Sequence, residues 1–180
     1  MREILFKAKR TDNGEWVEGL YFKVPKDEFG ARVICENGIL PNYLKPHDYY
    51  RYYIIQNNTE DNSKLYGTIA SDSHEIDLET LCQYAGIKDK DGNRIFENDI
   101  VQYNHRKYPE LEYPHSEPVS IKPTKYKRNY KVEYVNTKFT YGLRLRNKSI
   151  HFPITKSSID NHGVKIIGNT FDNPELLEEP

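Results

Sequence analysis

Residues Cys82 to Val101, reading C-Q-Y-A-G-I-K-D-K-D-G-N-R-I-F-E-N-D-I-V, restrict the possible folds more than any other stretch of the chain. Asp91-Gly92 stands between two extended runs, where a turn needs a residue that tolerates positive φ. Glu97-Asn98-Asp99 then reverses the chain again. Asn98 falls where a left-handed residue is required, a conformation Asn accepts second only to Gly. The segment therefore predicts strand, turn, strand, tight reversal and strand. Ile87, Ile95, Phe96, Ile100 and Val101 are its core anchors, and Lys88 and Lys90 face solvent. It contains no nucleophile–base pair, no metal-ligand spacing and no phosphate loop.

The rest of the chain reads in the same way. Ile4 to Lys9 alternates, breaks at Thr11-Asp12-Asn13-Gly14 and resumes from Trp16 to Phe22, and Asn-Gly between alternating runs is a strong hairpin signal. Further strands are expected at Ala31 to Cys35, Tyr52 to Ile55, Leu65 to Ala70, Ile100 to Tyr103, Lys125 to Val135, Lys138 to Arg146 and Val164 to Ile167. No apolar spacing of three and four persists over a dozen residues, so helix is confined to single turns near Ile76 to Leu81 and Asn173 to Glu178. In the second of these, Asn173 is the expected N-cap and Pro174 the first helical residue. Pro109, Pro114, Pro118 and Pro123 remove ladder donors and block helix, which leaves residues 104–124 as a long loop or arm.

The fold class that follows is mainly β. A β meander is expected over residues 1–81 and a small SH3-like barrel over 82–180, because strand, diverging turn, strand is how such barrels begin. With 29% charged residues, 37% hydrophobic residues and a net charge of −1, the chain is composed like a globular protein and not like a basic tail. No apolar run approaches the roughly 20 residues that span a bilayer. The only two cysteines, Cys35 and Cys82, fit reduced thiols in a cytosol. The 15 tyrosines, against one Trp and one Met, suit half-buried pleated surfaces.

Three segments resemble the YopX family of phage and prophage proteins. They are Met1-Arg2-Glu3-Ile4 through Lys7 with Trp16-Val17-Glu18-Gly19, the Cys82–Val101 stretch, and Ile166-Ile167-Gly168-Asn169 with Asp172-Asn173-Pro174-Glu175-Leu176-Leu177. Only the central stretch is specific by itself. Cys82 and Asn98 stand where the family usually has Gly. The resemblance implies a mostly β protein of bacterial or phage origin, and it brings no catalytic residues with it.

Chemistry is sparse in the residues themselves. The histidines His47, His74, His105, His115, His151 and His162 show no ligand spacing with one another or with cysteine. Asp89, Asp91, Glu97 and Asp99 echo a calcium loop but lack its twelfth-position Glu and flanking helices, so turn chemistry accounts for them. Ser157 and Ser158 lie in no nucleophile elbow, and Cys82 has no basic neighbour to activate it. No catalytic residue, metal or cofactor is expected. The one segment with functional weight is 122–148. There Lys125, Lys127, Arg128, Lys131, Arg144 and Arg146 interleave with Tyr126 and Tyr130, and Glu133 is the single acid. Cations for phosphates and rings for bases are how single strands are gripped. The simpler alternative is a hairpin with cations on its wet face and Tyr130, Val132 and Tyr134 on its core face. The leading expectation is a non-enzymatic interaction protein that self-associates or meets a phage or host protein. A nucleic-acid-binding accessory factor is the second.

Overall fold

The structure is a computed structural model that describes residues 4–26, 50–56, 73–108, 122–136, 140–145 and 151–178. The chain divides into two compact units, residues 1–84 and 85–180. Both are built from antiparallel strands, so the mainly-β class holds. The expected strands at Ala31 to Cys35 and Leu65 to Ala70 lie outside the described residues, as do Tyr49 and residues 109–121.

In the first unit the order is β4-β3-β2-β1, with β1 at Phe6–Lys9, β2 at Trp16–Pro25, β3 at Tyr50–Ile55 and β4 at Ser73–Glu75. Phe6 pairs with Gly19 and Lys9 with Trp16 across the first hairpin. Its turn is not the two-residue type that Asn-Gly suggests. Only Gly14 has positive φ, at 73°, and Asn13 instead accepts the Glu15 N–H at 2.9 Å. Alternation puts Ala8, Val17, Tyr50, Tyr52, Ile54 and Ile76 in one core. The tyrosine cluster of β3 is therefore mostly interior, with Tyr52 stacked against Tyr21 at 6.3 Å. Residues Leu78–Thr80 form the expected single helical turn, capped by the Asp77 carboxylate, which accepts from the Glu79 N–H. β5 at Cys82–Lys88 then opens against β1, where Lys7 pairs with Cys82. The Cys82 thiol is fully buried and directed at the Thr80 carbonyl oxygen.

The second unit takes up the end of β5 and continues with β6 at Arg94–Phe96 and β7 at Asp99–Lys107. β8 follows at Thr124–Val135, then β9 at Thr140–Arg144, β10 at His151–Pro153, helix α1 at Lys156–His162 and β11 at Lys165–Asn169. A final 3-10 turn spans Pro174–Leu177. Here Asn173 does not cap the turn through its side chain; its Oδ1 accepts from the Asn169 N–H instead.

The signature folds as its turn chemistry requires. Asp89 Oδ1 accepts the Asp91 and Asn93 N–H groups at 2.9 Å each, and Gly92 sits at φ +91°. Asn98, at φ 63°, is the single non-glycine residue with positive φ among the described residues. Ile95, Phe96, Ile100 and Val101 are buried. Asp91 is exposed and bridges to Lys90 at 3.0 Å and Lys165 at 3.1 Å. The hydrogen bond from Lys90, then that from Lys165, holds its carboxyl below the usual carboxylate range. Open space surrounds Gly92, so Gly92→Val should act through backbone strain alone and cost about 1 kcal/mol or more. Lys88→Ala and Lys90→Ala should stay within about 0.5 kcal/mol of the parent. Thermal melting of the three variants checks both expectations.

The small barrel is not closed. Its five strands run in the order β10-β9-β8-β7-β11, and β10 and β11 are edges among the described residues. The chain between those edges passes through α1. Ile159 of the helix, with Ile154 before it and Val164 after it, buries onto the face that carries Val101, Val132 and Leu143. A helix thus covers the core where a barrel would have wrapped a strand. The ladder between β7 and β8 also runs farther than the proline pattern suggests. Asn104 to Lys107 pair with Lys127 to Thr124, so the expected loop does not begin at Asn104.

Candidate nucleic-acid interface

Beyond Gln102, β7 has no partner on its β11 side, and β8 has none on its β9 side before Lys131, among the described residues. Residues 103–107 and 124–129 pair with each other, and among the described residues no third strand flanks this two-stranded arm. Side chains of opposed residues share a face, so Tyr103 with Arg128 and His105 with Tyr126 continue the face that begins with Val101 and Tyr130. Nearer the sheet, that face is the core under α1. Farther out it becomes a surface of rings.

The rings are ordered by one another. His105 stacks on Tyr126 at 5.0 Å and 13°, and Tyr103 stacks on His162 at 4.4 Å and 21°. Tyr130 meets Phe152 edge-on at 6.3 Å. The Tyr130 hydroxyl lies 2.7 Å from His105 Nε2. His162 reaches this cluster from the end of α1. The helix starts with a capping box between Thr155 and Ser158 and stops at Gly163, whose φ of 57° terminates it. A Cβ on Gly163 would meet Asn104 Nδ2 at 2.9 Å. Glycine thus lets Asn104 donate to the His162 carbonyl at 2.8 Å, while the Asn104 carbonyl lies 3.0 Å from His162 Nδ1. A carbonyl can only accept, so Nδ1 of His162 carries a proton.

These groups border a hollow of about 480 Å³, lined by Tyr103, His105, Tyr130 and His162 together with Phe152. Tyr108, Tyr126 and Phe152 are exposed by 58%, 40% and 45%, which is unusual for three rings in one region. A second hollow of about 440 Å³ lies beside Tyr126 and Arg128 and runs to Leu176 and Leu177 of the last turn. Asn129 ties that turn down by donating to the Leu176 carbonyl at 2.7 Å.

Burial holds His105 below the ordinary imidazole value of 6.5, and the charges of Arg128 and His162 add to the effect. Between that lowered value and 6.5 the unfolded chain binds the proton better, so stability falls as acid is added through this window. The melting temperature of the parent should drop there more steeply than that of His105→Gln. Equal slopes would contradict the burial of a neutral ring. Burial also raises the Tyr130 phenol above its usual range.

The cations predicted from the sequence separate into groups. Arg128 lies on the aromatic face, with its guanidinium 5.7 Å from the Tyr126 ring. Lys125 and Lys127 are exposed and have the opposite parity on the arm. Lys131 is half-buried where β8 enters the sheet. Arg144 pairs with Glu133 at 3.2 Å on the sheet itself. Arg146 lies outside the described residues. Tyr130 is almost wholly buried, as core-face alternation requires, but Tyr126 on the same face is exposed. Tyr134 is exposed too, its ring packed edge-on against the buried Tyr141 at 5.2 Å. The sequence reading missed Tyr103, His105, Arg106, Phe152 and His162, which come from β7, β10 and α1 and meet only in the fold.

No helix among the described residues is long and apolar enough to cross a membrane. No curated protein matches the sequence. Among solved structures, the crystal structure of protein EF1440 from Enterococcus faecalis is similar over 99% of this chain and 100% of its own, at 19% identity and a TM-score of 0.44. The model of the YopX protein family matches residues 5–178. With nearly its whole length matched, the chain belongs to the YopX protein family.

Proposed function

We propose that this chain is a non-enzymatic, phage- or prophage-encoded binding protein of the bacterial cytoplasm, and that the β7–β8 arm is its contact surface for single-stranded nucleic acid. The observation that carries the reading is the composition of the arm. Residues 103–108 and 122–130 hold Arg106, Lys107, Lys122, Lys125, Lys127 and Arg128 and no acidic residue. On that arm Tyr126 and Tyr108 expose their rings beside the cations. Positive charge that tracks a backbone, together with exposed rings that accept unpaired bases, is the chemistry of sequence-tolerant strand binding. A net charge of −1 for the whole chain makes this a local surface and not a property of the molecule.

The pairing of His105 with Tyr130 fixes the orientation of both rings on the arm. Self-association is the other reading, and Tyr50 and Tyr52, as core residues, offer it no surface. Exposed Ile4 and Leu20 in the first unit are what a second copy would have to cover.

Fluorescence anisotropy of a labelled single-stranded oligonucleotide at low and at physiological salt tests the proposal. Binding should be clear at low salt and fall steeply as salt rises. Absence of binding at low salt would reject the reading. Light scattering over a range of protein concentrations, run in parallel, would show whether a second copy is the occupant instead.

A further inference from the structure

The hollow beside the arm is more specific than strand binding requires, because sequence-tolerant contact needs only open rings and cations. Its volume of about 480 Å³ lies toward the small end of ligand pockets, and its border is mostly aromatic with a few polar groups. We infer that this hollow seats one unstacked nucleobase, with the attached phosphate on Arg106, so that a nucleoside 5′-monophosphate is the smallest ligand it holds. This seat rests on the reading of the arm as a nucleic-acid surface and adds a site with its own ligand.

Three features carry the inference. First, the rings bordering the hollow are fixed before any ligand arrives. Tyr103 is stacked on His162, and the Tyr130 hydroxyl is held at His105. A base entering such a frame does not have to order the side chains it meets, so little affinity is lost to entropy. Second, the two histidines each use one ring nitrogen on the protein, Nε2 of His105 on Tyr130 and Nδ1 of His162 on the Asn104 carbonyl. The remaining nitrogens, Nδ1 of His105 and Nε2 of His162, are suited to the donor–acceptor edge of a base, which a purely apolar guest would leave unmatched. Third, the lining of the hollow includes a cation. Arg106 borders it on the exposed end of β7, and Arg128, close enough to depress His105, stands on the neighbouring strand. An apolar peptide would gain nothing from that charge, whereas a nucleotide presents a flat ring and an anion together.

The test uses the full chain and proton NMR of the histidine rings, with His105 and His162 assigned from His105→Gln and His162→Gln spectra. Adenosine and uridine 5′-monophosphate, ribose 5-phosphate and inorganic phosphate are titrated separately, and a single-stranded oligonucleotide is followed by anisotropy on the same samples. At least one nucleotide should shift both ring resonances saturably at millimolar concentration, with ribose 5-phosphate and phosphate weaker by about tenfold or more, the scale of one base stack. Asn161→Trp, an exposed helix position on the rim of the hollow, should weaken the nucleotide by a similar factor and leave the thermal melt unchanged. If the oligonucleotide binds but no nucleotide shifts the rings, the seat is wrong and the strand-binding reading survives. If neither binds, both fail. Equal shifts from ribose 5-phosphate would mean an anion contact alone and would overturn the seat. Saturable nucleotide binding unaffected by Asn161→Trp would place the ligand elsewhere and overturn it as well.

Discussion

Phe96→Ala should lower the stability of the chain by about 3 to 5 kcal/mol. Phe96 is 1% exposed and is the largest of the fully buried side chains among the described residues. Its backbone cannot easily move to close the gap that a truncated ring would leave. The Phe96 N–H donates to the buried Asp99 carboxylate at 2.7 Å, and the Asn98 N–H just after it donates to the Val132 carbonyl at 2.9 Å. With the chain pinned on both sides of the reversal, the cavity persists and its cost adds to the lost transfer energy. Urea unfolding followed by circular dichroism measures the loss. A shift of less than about 1 kcal/mol with an unchanged m-value would mean that the buried ring does not stabilise the fold.

Asp89→Ala should cost about 3 kcal/mol or more, although no apolar surface is lost. Asp89 is 5% exposed, and its carboxylate accepts four hydrogen bonds in and around its turn. Oδ1 accepts from the Asp91 and Asn93 N–H groups, and Oδ2 accepts from Asn93 Nδ2 at 3.3 Å and from the Ile166 N–H at 3.1 Å. The last of these reaches β11, so one side chain closes the hairpin and fastens a distant strand to it. Alanine leaves three part-buried backbone donors without their acceptor, and the penalty for unmatched donors adds to the loss of the bonds themselves. Asp89→Asn should fall between alanine and the parent. Its amide oxygen can replace Oδ1, but its NH2 would then face the Ile166 N–H. Thermal melts of the two variants should rank in that order. If alanine melted like the parent, the carboxylate would not be what sets this turn.

Features written in nearest-neighbour chemistry were legible before the fold was known. Gly92 and Asn98 are local requirements, and the backbone meets both of them, whereas Ile95, Phe96, Ile100 and Val101 are buried in adjacent pairs and not in alternation. Helix α1 leaves no amphipathic pattern in the sequence because its seven residues make only about two turns. Its signals were end signals, with Thr155 and Ser158 at capping-box spacing and Gly163 at the stop. The extent of the arm was misjudged for a related reason. Prolines disrupt a ladder only where they stand, and the strands here run up to Tyr108 and start again after Pro123. The site was only half legible. Tyr126 and Arg128 could be read from one strand, but His105 joins them through cross-strand register and His162 through the end of a helix. Contacts of that kind leave no mark in the spacing of a single segment.

The most direct test of the arm as a nucleic-acid surface is the salt dependence of oligonucleotide binding in two variants of opposite chemistry. Each phosphate contact on a single strand contributes about −0.7 to the slope of log affinity against log salt. Replacing Lys125, Lys127 and Arg128 together by alanine should therefore flatten the slope by about 2. Tyr126→Ala should weaken binding by about 1 to 3 kcal/mol at every salt concentration and leave the slope unchanged, because a stacked ring releases no counterions. If instead both variants kept the affinity and the slope of the parent, the arm would not be the contact surface.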